Sequence, residues 1–518
     1  MLMKAIHRAS LLAMAAGLLR PVEWTSAADQ PQWGQAWSRN MVSAERGLPE
    51  CFDPTTGRNV RWSARLGTET HSTPVVAGGR VLVGTNNGEP RDPRNTGDRG
   101  VLLCFDERTG EFLWELAVPK ITNSIFWDWP KAGICSPATV ESNRVYIISN
   151  RGEVLCLDLE GMANGNQGPF MDEARHRVPL GQPPVEPNDR SADILWRFDI
   201  IKECGVRQHD SAHGSILIDG PFLYVNTSNG VDDTHKQIHA PEAPSLIVLN
   251  KQTGQLVARD QERIGPRIFH STWSSPALAE VQGRRLVYFC GGDGVIYGFE
   301  PVPCSLATKN EGPVAGLKKV WWFDCDPGAP KENVHRYNSN RKESPSNIKS
   351  MPVIHGDRLY VTVGGDLWWG KNQAWLKCVD LTGTGDVTAG ACRWTYDLTR
   401  HSMSSPAVAD GLVYVGDSGQ RIHCVDGRTG EACWTHPVKG EVWASPLVAD
   451  GKVYFATRGG QVLVFAAGRD KKLLCQVELG EAVSGSPMAA NGTLYLATMR
   501  QLYALASGIP PVAPAASP

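Results

Sequence analysis

One short pattern recurs along the chain and limits the fold more than any other feature of the sequence. A Ser-Pro or Thr-Pro pair opens an apolar run at Pro74, Pro137, Pro276, Pro406, Pro446 and Pro487, with looser copies at Ser215-Ile216 and Met351-Pro352. The closest copies lie 40 and 41 residues apart, which is the period of a four-stranded propeller blade. Eight copies predict one repeating architecture rather than several unrelated domains.

Each copy continues through the same local elements: a glycine turn, a β-branched and aromatic strand, a second turn, and a strand that ends in Asp. The clearest copies run on as Asp106-Glu-Arg-Thr-Gly-Glu-Phe-Leu-Trp114 and Asp426-Gly-Arg-Thr-Gly-Glu-Ala-Cys-Trp434. The Asp side chain accepts turn amides, and Gly takes the left-handed position. We expect the Trp to pack between neighbouring blades. This use explains why 17 Trp exceed 13 Phe and 11 Tyr.

Counting strands predicts how the ring closes. Three-strand units are expected around 72–106, 135–158, 213–250, 274–300, 350–380, 404–426, 444–467 and 485–506. Fourth strands are expected around 60–66, 112–118, 194–199, 255–260, 319–324, 392–397, 432–437 and 472–478. The last unit has no strand after it, so the segment around Arg61-Trp62 should complete the eighth blade. The sequence therefore predicts an all-β, eight-bladed β-propeller of four-stranded antiparallel blades over 60–508, closed by an N-terminal strand.

The ends of the chain carry different signals. Lys4 and Arg8 precede the apolar run 9–19 and small residues follow, which predicts a signal peptide over 1–27. That run is too short to span a bilayer. Residues 28–59 form a lead-in segment and 509–518 a Pro/Ala-rich tail. The first cysteine is Cys51, so no lipid-attachment cysteine follows the leader. We expect a periplasmic or secreted monomer without a transmembrane segment.

Charge and cysteine spacing exclude several classes of function. The net charge is −2 and no dense basic stretch occurs, which argues against binding to nucleic acid or to an anionic membrane surface. The 13 cysteines include no adjacent pair, no CxxC and no CxxCH, so a thioredoxin-like motif, a zinc ribbon and a c-type haem have no support. Their disulfide pairing is left open. Four recur at one repeat position and are expected to be small buried packing residues: Cys104, Cys156, Cys378 and Cys424.

Long insertions divide between the two faces of the predicted ring. One face receives 86–100, 120–131, 229–244, 325–348 and 364–375, and the other receives 160–192, 301–318 and 381–391. The first face is richer in His, Trp, Asn, Arg and Asp, and we take it as the candidate functional face. Trp368-Trp369 and Trp375 on its last insertion could contact sugar or peptide. We favour the alternative that these side chains pack against the ring and hold the insertion on it.

The residue three before each signature position should lie where the innermost strand enters the central channel. Around the ring these residues are His71, Ile134, His213, Trp273, Lys349, Met403, Trp443 and Ser484. Two His, two Trp and one Lys converging there could bind a flat anionic ring by stacking and charge. A wet channel mouth that tolerates any residue is the alternative.

The Asp-x-x-Thr-Gly-x-x-x-Trp repeats resemble the tryptophan-docking motifs of pyrroloquinoline quinone (PQQ) repeat propellers. The resemblance extends to Gln32-Trp33, to Gly47-Leu48-Pro49, and to the stretches 149–158 and 227–233. The chain is similar to PQQ-binding-like β-propeller repeat proteins, which are grouped with the outer-membrane assembly propeller BamB and with quinoprotein dehydrogenases. This family describes a scaffold rather than one activity.

The resemblance implies two functions. The preferred hypothesis is a binding scaffold that presents its loop face to a protein, a glycan or a small ligand. The alternative is a PQQ- and calcium-dependent dehydrogenase of an alcohol or sugar, in which a carboxylate takes the alcohol proton while hydride passes to the quinone. Family quinoproteins commonly carry adjacent disulfide-bonded cysteines and often a CxxCH haem segment, and this sequence has neither.

The enzyme hypothesis assigns specific residues. Asp232 or Asp233 would be the base or a metal ligand, and Asn229 and Glu242 would be calcium ligands. Short Asp/Asn runs beside glycine are also typical of turns. The cofactor itself would contact residues of the channel mouth, with Trp273 as its stacking floor: Trp273, Trp443, His71, His213 and Lys349.

Overall fold

The computed structural model describes residues 28–121, 124–308 and 312–511. The predicted signal peptide 1–27 and most of the predicted tail lie outside these residues. The described residues form eight sheets, each with a meander of four antiparallel strands. The eight-bladed propeller is therefore confirmed, and the observed strands lie within one or two residues of the predicted fourth strands.

Blades 1 to 4 follow one another along the chain. Blade 1 contains Val75–Ala77, Arg80–Asn86, Arg99–Asp106 and Phe112–Pro119, and blade 2 contains Thr139–Glu141, Arg144–Ile148, Glu153–Asp158 and Ile194–Asp199. Blade 3 contains Leu217–Asp219, Phe222–Asn226, Leu246–Asn250 and Leu256–Arg259, with Ala315–Gly316 added at its edge. Blade 4 contains Ala277–Val281, Arg284–Cys290, Val295–Phe299 and Lys319–Asp324, with Gly385–Asp386 added at its edge.

Blades 5 to 8 complete the ring. Blade 5 contains Val353–His355, Arg358–Gly365, Ala374–Asp380 and Cys392–Asp397, with Ser346–Asn347 paired to its second strand. Blade 6 contains Ala407–Ala409, Leu412–Asp417, Arg421–Asp426 and Ala432–Pro437, and blade 7 contains Leu447–Ala449, Lys452–Ala456, Gln461–Ala466 and Leu473–Glu478. Blade 8 contains Met488–Ala490, Thr493–Ala497, Gln501–Leu505 and the N-terminal strand Val60–Arg65. The last pairing, from Val60–Leu505 to Arg65–Gln501, is the predicted closure of the ring.

Helices are short and lie between the strands. Within the part of the chain that the structure describes, two α-helices span Glu173–His176 and Ile200–Cys204. Four 3₁₀ turns span Gly161–Asn164, Gly265–Arg267, Cys304–Thr308 and Val334–Tyr337. Gly291–Gly294 joins two strands of blade 4 as a hairpin turn.

At several blade interfaces the repeated Trp joins one blade to the next. The indole N–H groups of Trp62, Trp114, Trp394 and Trp434 donate to carbonyls of the following blade at 2.9–3.1 Å. Gly110 of the Thr-Gly turn has φ +74°, and a Cβ there would lie 2.6 Å from the Trp62 ring. Glycine is needed both for the conformation and for this close approach. The prediction that Trp packs between blades is confirmed.

The signature Ser or Thr also links neighbouring blades. Its hydroxyl accepts the backbone N–H of the corresponding residue in the preceding blade. This occurs from Ser215 to Ser275, Met351 to Ser405, Ser405 to Ser445, Ser445 to Ser486, and Ser486 to Thr73, at 2.7–3.0 Å. The repeated hydroxyl thus forms a belt of hydrogen bonds around the central channel, and the last of these bonds joins blade 8 to blade 1.

One end of the channel is filled by residues 28–49, which we call the N-terminal plug. Its backbone carbonyls at Gln30, Pro31, Trp37, Ser38 and Met41 accept N–H groups from the first strands of blades 1, 2, 4, 5 and 7. The Asn40 side chain pairs with both backbone groups of Val408 in blade 6, and the Trp37 indole donates to Ile218 in blade 3. Ala28 accepts from Asn491 in blade 8. The plug therefore contacts all eight blades.

Arg39 is the most buried charge of the plug. Its side chain is 0% exposed and donates to the carbonyls of Pro276, Trp33 and Ser215 and to the Ser215 hydroxyl, at 2.8–3.3 Å. Burial lowers the pKa of Arg39 to about 9. A disulfide between Cys51 and Cys475 ties the chain just after the plug to the fourth strand of blade 7.

The four cysteines at the repeat position are free and buried, as predicted: Cys104, Cys156, Cys378 and Cys424.

Candidate functional site

The open end of the channel contains a pocket of about 460 Å³. The plug bonds to the first strands two to four residues beyond the signature position. Trp33 of the plug therefore lies in the pocket wall and closes the pocket from below. Seven of the eight residues expected at the channel mouth line this pocket: His71, His213, Trp273, Lys349, Met403, Trp443 and Ser484. The eighth, Ile134, is fully buried and does not line it.

Aromatic side chains from the insertions complete the wall. Phe126 and Trp129 come from the insertion after blade 1, and Trp368 and Trp369 come from the insertion in blade 5. The Trp368 ring lies 6.0 Å from Trp273 and 6.4 Å from Trp443, both in edge-to-face geometry. Trp368 is 36% exposed, so it both packs onto the ring and faces solvent at the pocket entrance.

Arg341 holds the insertion that carries these tryptophans. Its guanidinium donates to the carbonyls of Leu367, Trp368 and Gly370. Ser339 donates its backbone N–H to Trp369 at 2.7 Å. Two insertions of the candidate functional face therefore bond to each other beside the pocket.

Two cations of the pocket wall lie over indole rings. The Lys349 ammonium is 3.9 Å from the Trp273 ring centroid, 3.2 Å from the Asp366 carboxylate and 3.1 Å from the Ser271 hydroxyl. Burial lowers the pKa of Lys349, and the charge of Asp366 opposes this shift. The Arg458 guanidinium is 4.0 Å from the Trp443 ring centroid and donates to Ser484 at 2.8 Å. Such pairs are stronger in a desolvated site than on an open surface.

Three histidines cluster on one side of the pocket, where the lead-ins to blades 3 and 4 meet the insertion 229–244. One ring nitrogen from each of His209, His235 and His270 lies within 4.8 Å of the other two. All three side chains are buried, and His235 and His270 line the pocket. Burial and the neighbouring histidines hold the pKa of His209 well below its ordinary value.

Asp210 lies against this histidine cluster. One carboxylate oxygen is 3.5 Å from Nε2 of His209 and 3.9 Å from Nε2 of His270. The other has no hydrogen-bond partner. Burial raises the pKa of Asp210 to about 7. Asp210 and the next residue, Ser211, both have positive φ, at 57° and 68°, which non-glycine residues rarely adopt in succession.

The residues predicted as calcium ligands or as a base have separate local partners, and none of them lines the pocket. Asp232 accepts from Thr234 and from Gln237 at 2.6–3.0 Å. Asp233 pairs with Arg207, and the Asn229 amide donates to Ala240 at 2.9 Å. Glu242 forms an exposed ion pair with Arg263. The structure does not gather these oxygens into one site, so they do not fit the calcium ion that the quinoprotein hypothesis needs.

The sequence pattern does not single out the histidine cluster, because its members are far apart in sequence and follow no metal-binding spacing. One signal is present in hindsight. Asp210 and His270 both stand six residues before the signature position, in neighbouring blades 3 and 4. Equivalent positions in adjacent blades are close in space, so the repeat register predicts that Asp210 and His270 lie near each other.

Residues 24–158 and 383–505, together about half of the chain, match the family model described as outer membrane protein assembly factor BamB. No curated protein sequence matches the chain significantly. No helix among the described residues is both long and apolar enough to cross a membrane.

Solved structures of low sequence identity share the fold. A europium-containing methanol dehydrogenase is similar with a TM-score of 0.59 and 11% identity, over 93% of this chain and 99% of that one. BamB from Moraxella catarrhalis is similar with a TM-score of 0.51 and 12% identity, over 87% of this chain and 97% of that one. At these identities the similarity shows the fold alone. The repeats, the eight closed blades and the family match together show that the chain is a PQQ-like repeat β-propeller protein.

Proposed function

We propose that this propeller is an exported binding protein that takes a small, flat, anionic ligand into its axial pocket. The carrying observation is the pocket itself, a cavity of about 460 Å³ walled by tryptophans and two cations. Small-molecule sites are typically cavities of about 300–1,000 Å³ with mostly apolar walls and a few placed polar groups. The pocket has this size and composition.

The wall residues favour a planar ligand with a negative group. Trp273, Trp368 and Trp443 offer indole faces and edges to a ring, and aromatic pairs stabilise beyond the area they bury. Lys349 and Arg458 supply positive charge at the same wall. The plug closes the channel below, which excludes water from one side of a bound ring.

A quinoprotein dehydrogenase is the second candidate, because a planar carboxylated quinone such as PQQ belongs to the ligand class that the pocket favours. The predicted calcium donors do not surround the pocket, and we derive no reaction step through a cofactor. The two candidates differ in turnover rather than in ligand binding.

Titration with PQQ, with and without calcium, tests the proposal through tryptophan fluorescence and cofactor absorbance. We expect one PQQ per chain, with binding at least about tenfold weaker in Trp273→Ala because a stacking face is lost. Trp37→Ala is the matched control, since Trp37 is an exposed tryptophan of the plug outside the pocket. Absence of binding at high micromolar PQQ would overturn the proposal. If PQQ binds, reduction of a dye in the presence of a panel of alcohols would identify a dehydrogenase.

Export and a macromolecular partner remain proposals as well. Residues 1–27 lie outside the described residues, so export rests on the sequence of the leader. A protein or glycan partner would meet the loop face, where Trp129 and Trp368 are 43% and 36% exposed. Cell fractionation tests the first proposal, and crosslinking through residues placed beside Trp129 tests the second.

A further inference from the structure

We propose that His209, His235, His270 and Asp210 bind one divalent transition-metal ion, with zinc as the first candidate, at the wall of the axial pocket. The proposal does not depend on which ligand the pocket takes. It rests on three observations: the convergence of the donor atoms, the hydrogen bonds on the outer side of two imidazole rings, and the missing partners on their inner side.

The outer hydrogen bonds fix where the imidazole protons lie. Nδ1 of His209 is 2.9 Å from the Val231 carbonyl, which can only accept, so Nδ1 carries the proton. Nδ1 of His270 is 3.1 Å from the Asp366 carboxylate. A contact of 3.4 Å from the Lys349 ammonium to the same nitrogen is longer. The hydrogen bond to the carboxylate therefore places the proton of His270 on Nδ1 as well. Both rings then direct the lone pair of Nε2 towards the cluster.

These inner nitrogens have no partner within the described structure. Nε2 of His209 and Nε2 of His270 are buried without a hydrogen bond. An oxygen of the Asp210 carboxylate lies 3.5 and 3.9 Å from them. When Asp210 is ionised, three electron-pair donors thus face one another. A buried polar atom without a partner costs about 1–3 kcal/mol. A cation at the centre would satisfy all three donors at once.

The distances suit a metal ion of zinc size. Metal–ligand bonds of about 2.0–2.2 Å place the donors of a tetrahedral site roughly 3.3–3.5 Å apart. The Asp210–His209 distance of 3.5 Å already meets this value. The histidine nitrogens, within 4.8 Å of one another, need to approach by at most about 1.5 Å. His235 lies on an insertion, so it can supply this movement without displacing a strand.

The donor set selects the class of metal. Imidazole nitrogens favour zinc, copper, nickel and iron, whereas calcium and magnesium prefer sites made of oxygens. Metal-ligating histidines usually donate their other N–H to a carbonyl or carboxylate, which orients the ring. Val231 and Asp366 occupy this role here. His235, His270 and Asp210 line the pocket, so the ion would lie where a bound ligand can reach it.

Metal binding by the full chain, prepared without a polyhistidine tag and stripped with a chelator, tests the proposal. Zinc is titrated by calorimetry, and cobalt is titrated in parallel by its visible absorption, which reports four-coordinate geometry. We expect one ion per chain and a four-coordinate cobalt spectrum. We expect His235→Ala to weaken binding by more than about 100-fold, and Asp366→Asn by about 10–100-fold through loss of ring orientation.

His239→Ala is the matched control, because His239 is an exposed histidine of the same insertion, four residues from His235. It should bind zinc as tightly as the unchanged protein. His235 and Asp210 are tested first, since His209→Ala could prevent folding. Asp210→Asn keeps the side-chain volume and should weaken zinc binding. Binding of less than one ion per chain, or equal zinc affinity in His235→Ala and His239→Ala, would overturn the proposal.

Discussion

The two ends of the central channel are built on the same eight first strands, yet they differ in how far their buried polar groups are satisfied. At the plugged end, Arg39 makes four hydrogen bonds and the Asn40 side chain makes two. At the open end, nitrogens of His209, His270 and His401 lack any partner within the described structure.

This difference suggests that the plugged end contributes mainly to stability and the open end mainly to binding. Unpartnered buried polar atoms cost free energy, and native proteins carry few of them. The plug shows that this scaffold can satisfy a fully buried arginine. At the open end the unpartnered atoms of His270 and Asp210 lie beside a pocket, where a ligand or an ion is expected to complete the structure.

The largest expected effect comes from breaking the plugged end. Arg39→Met should lower the free energy of unfolding by about 3–5 kcal/mol, because three buried carbonyls lose their donor. Chemical denaturation measures the change. Arg46→Met is the control, since its side chain is 69% exposed and should cost less than about 0.5 kcal/mol. A loss below about 1 kcal/mol for Arg39→Met would contradict the role given to the plug.

The disulfide next to the plug should have the second largest effect. Replacing both Cys51 and Cys475 by Ser should cost about 2–4 kcal/mol, because the cross-link restricts the unfolded chain. Reducing the unchanged protein should lower its stability by a similar amount. Cys392→Ser removes an exposed free cysteine and serves as the control. Equal stability of the unchanged protein with and without reductant would argue that the plug is held by its hydrogen bonds alone.

The open end should make stability depend on pH. Burial and the charge of Lys349 lower the pKa of His401 from 6.5 to about 3. As the pH falls from 6.5 the unfolded chain takes up this proton while the folded protein does not, so stability falls. The loss between pH 6.5 and pH 5 is about 2 kcal/mol. The melting temperature of His401→Leu should change less over this pH range than that of the unchanged protein. Parallel pH profiles of the two proteins would count against the prediction.

The smallest effect is expected at the pocket entrance. Trp368→Ala should weaken PQQ binding about tenfold, since it removes one aromatic wall, while the free energy of unfolding changes by less than about 1 kcal/mol because Trp368 is partly exposed. Fluorescence titration and denaturation measure the two quantities. A stability loss larger than that of Arg39→Met would reverse the assignment of the two ends.

The repeat made most of the fold predictable. Trp62 and Gly110 belong to neighbouring copies of one repeated motif, so the docking of Trp between blades and the closure by the strand Val60–Arg65 follow from the repeat. The plug was not predictable in the same way. Arg39 is buried because Ser215 and Pro276, which lie 176 and 237 residues away, present carbonyls to it, and no local pattern reports such distant partners.

The candidate site was predictable in part. The repeat register placed His213, Trp273 and Lys349 at the channel mouth, since each lies three residues before its signature position. His235 reaches the pocket from an insertion, and its place depends on how that insertion packs against Trp369 and Phe126. Insertions lie outside the repeat, so the register carries no information about them.

The N-terminal plug and the closing strand also set an order for folding. Residues 28–65 are synthesised before any blade, yet their partners include Asn491 and Leu505 near the other end of the described chain. These contacts join segments more than 400 residues apart in sequence, and such contacts form slowly. This early segment is thus among the last to find its partners. A chain that loses blade 8 leaves both the closing strand and the plug without a complete ring to bind.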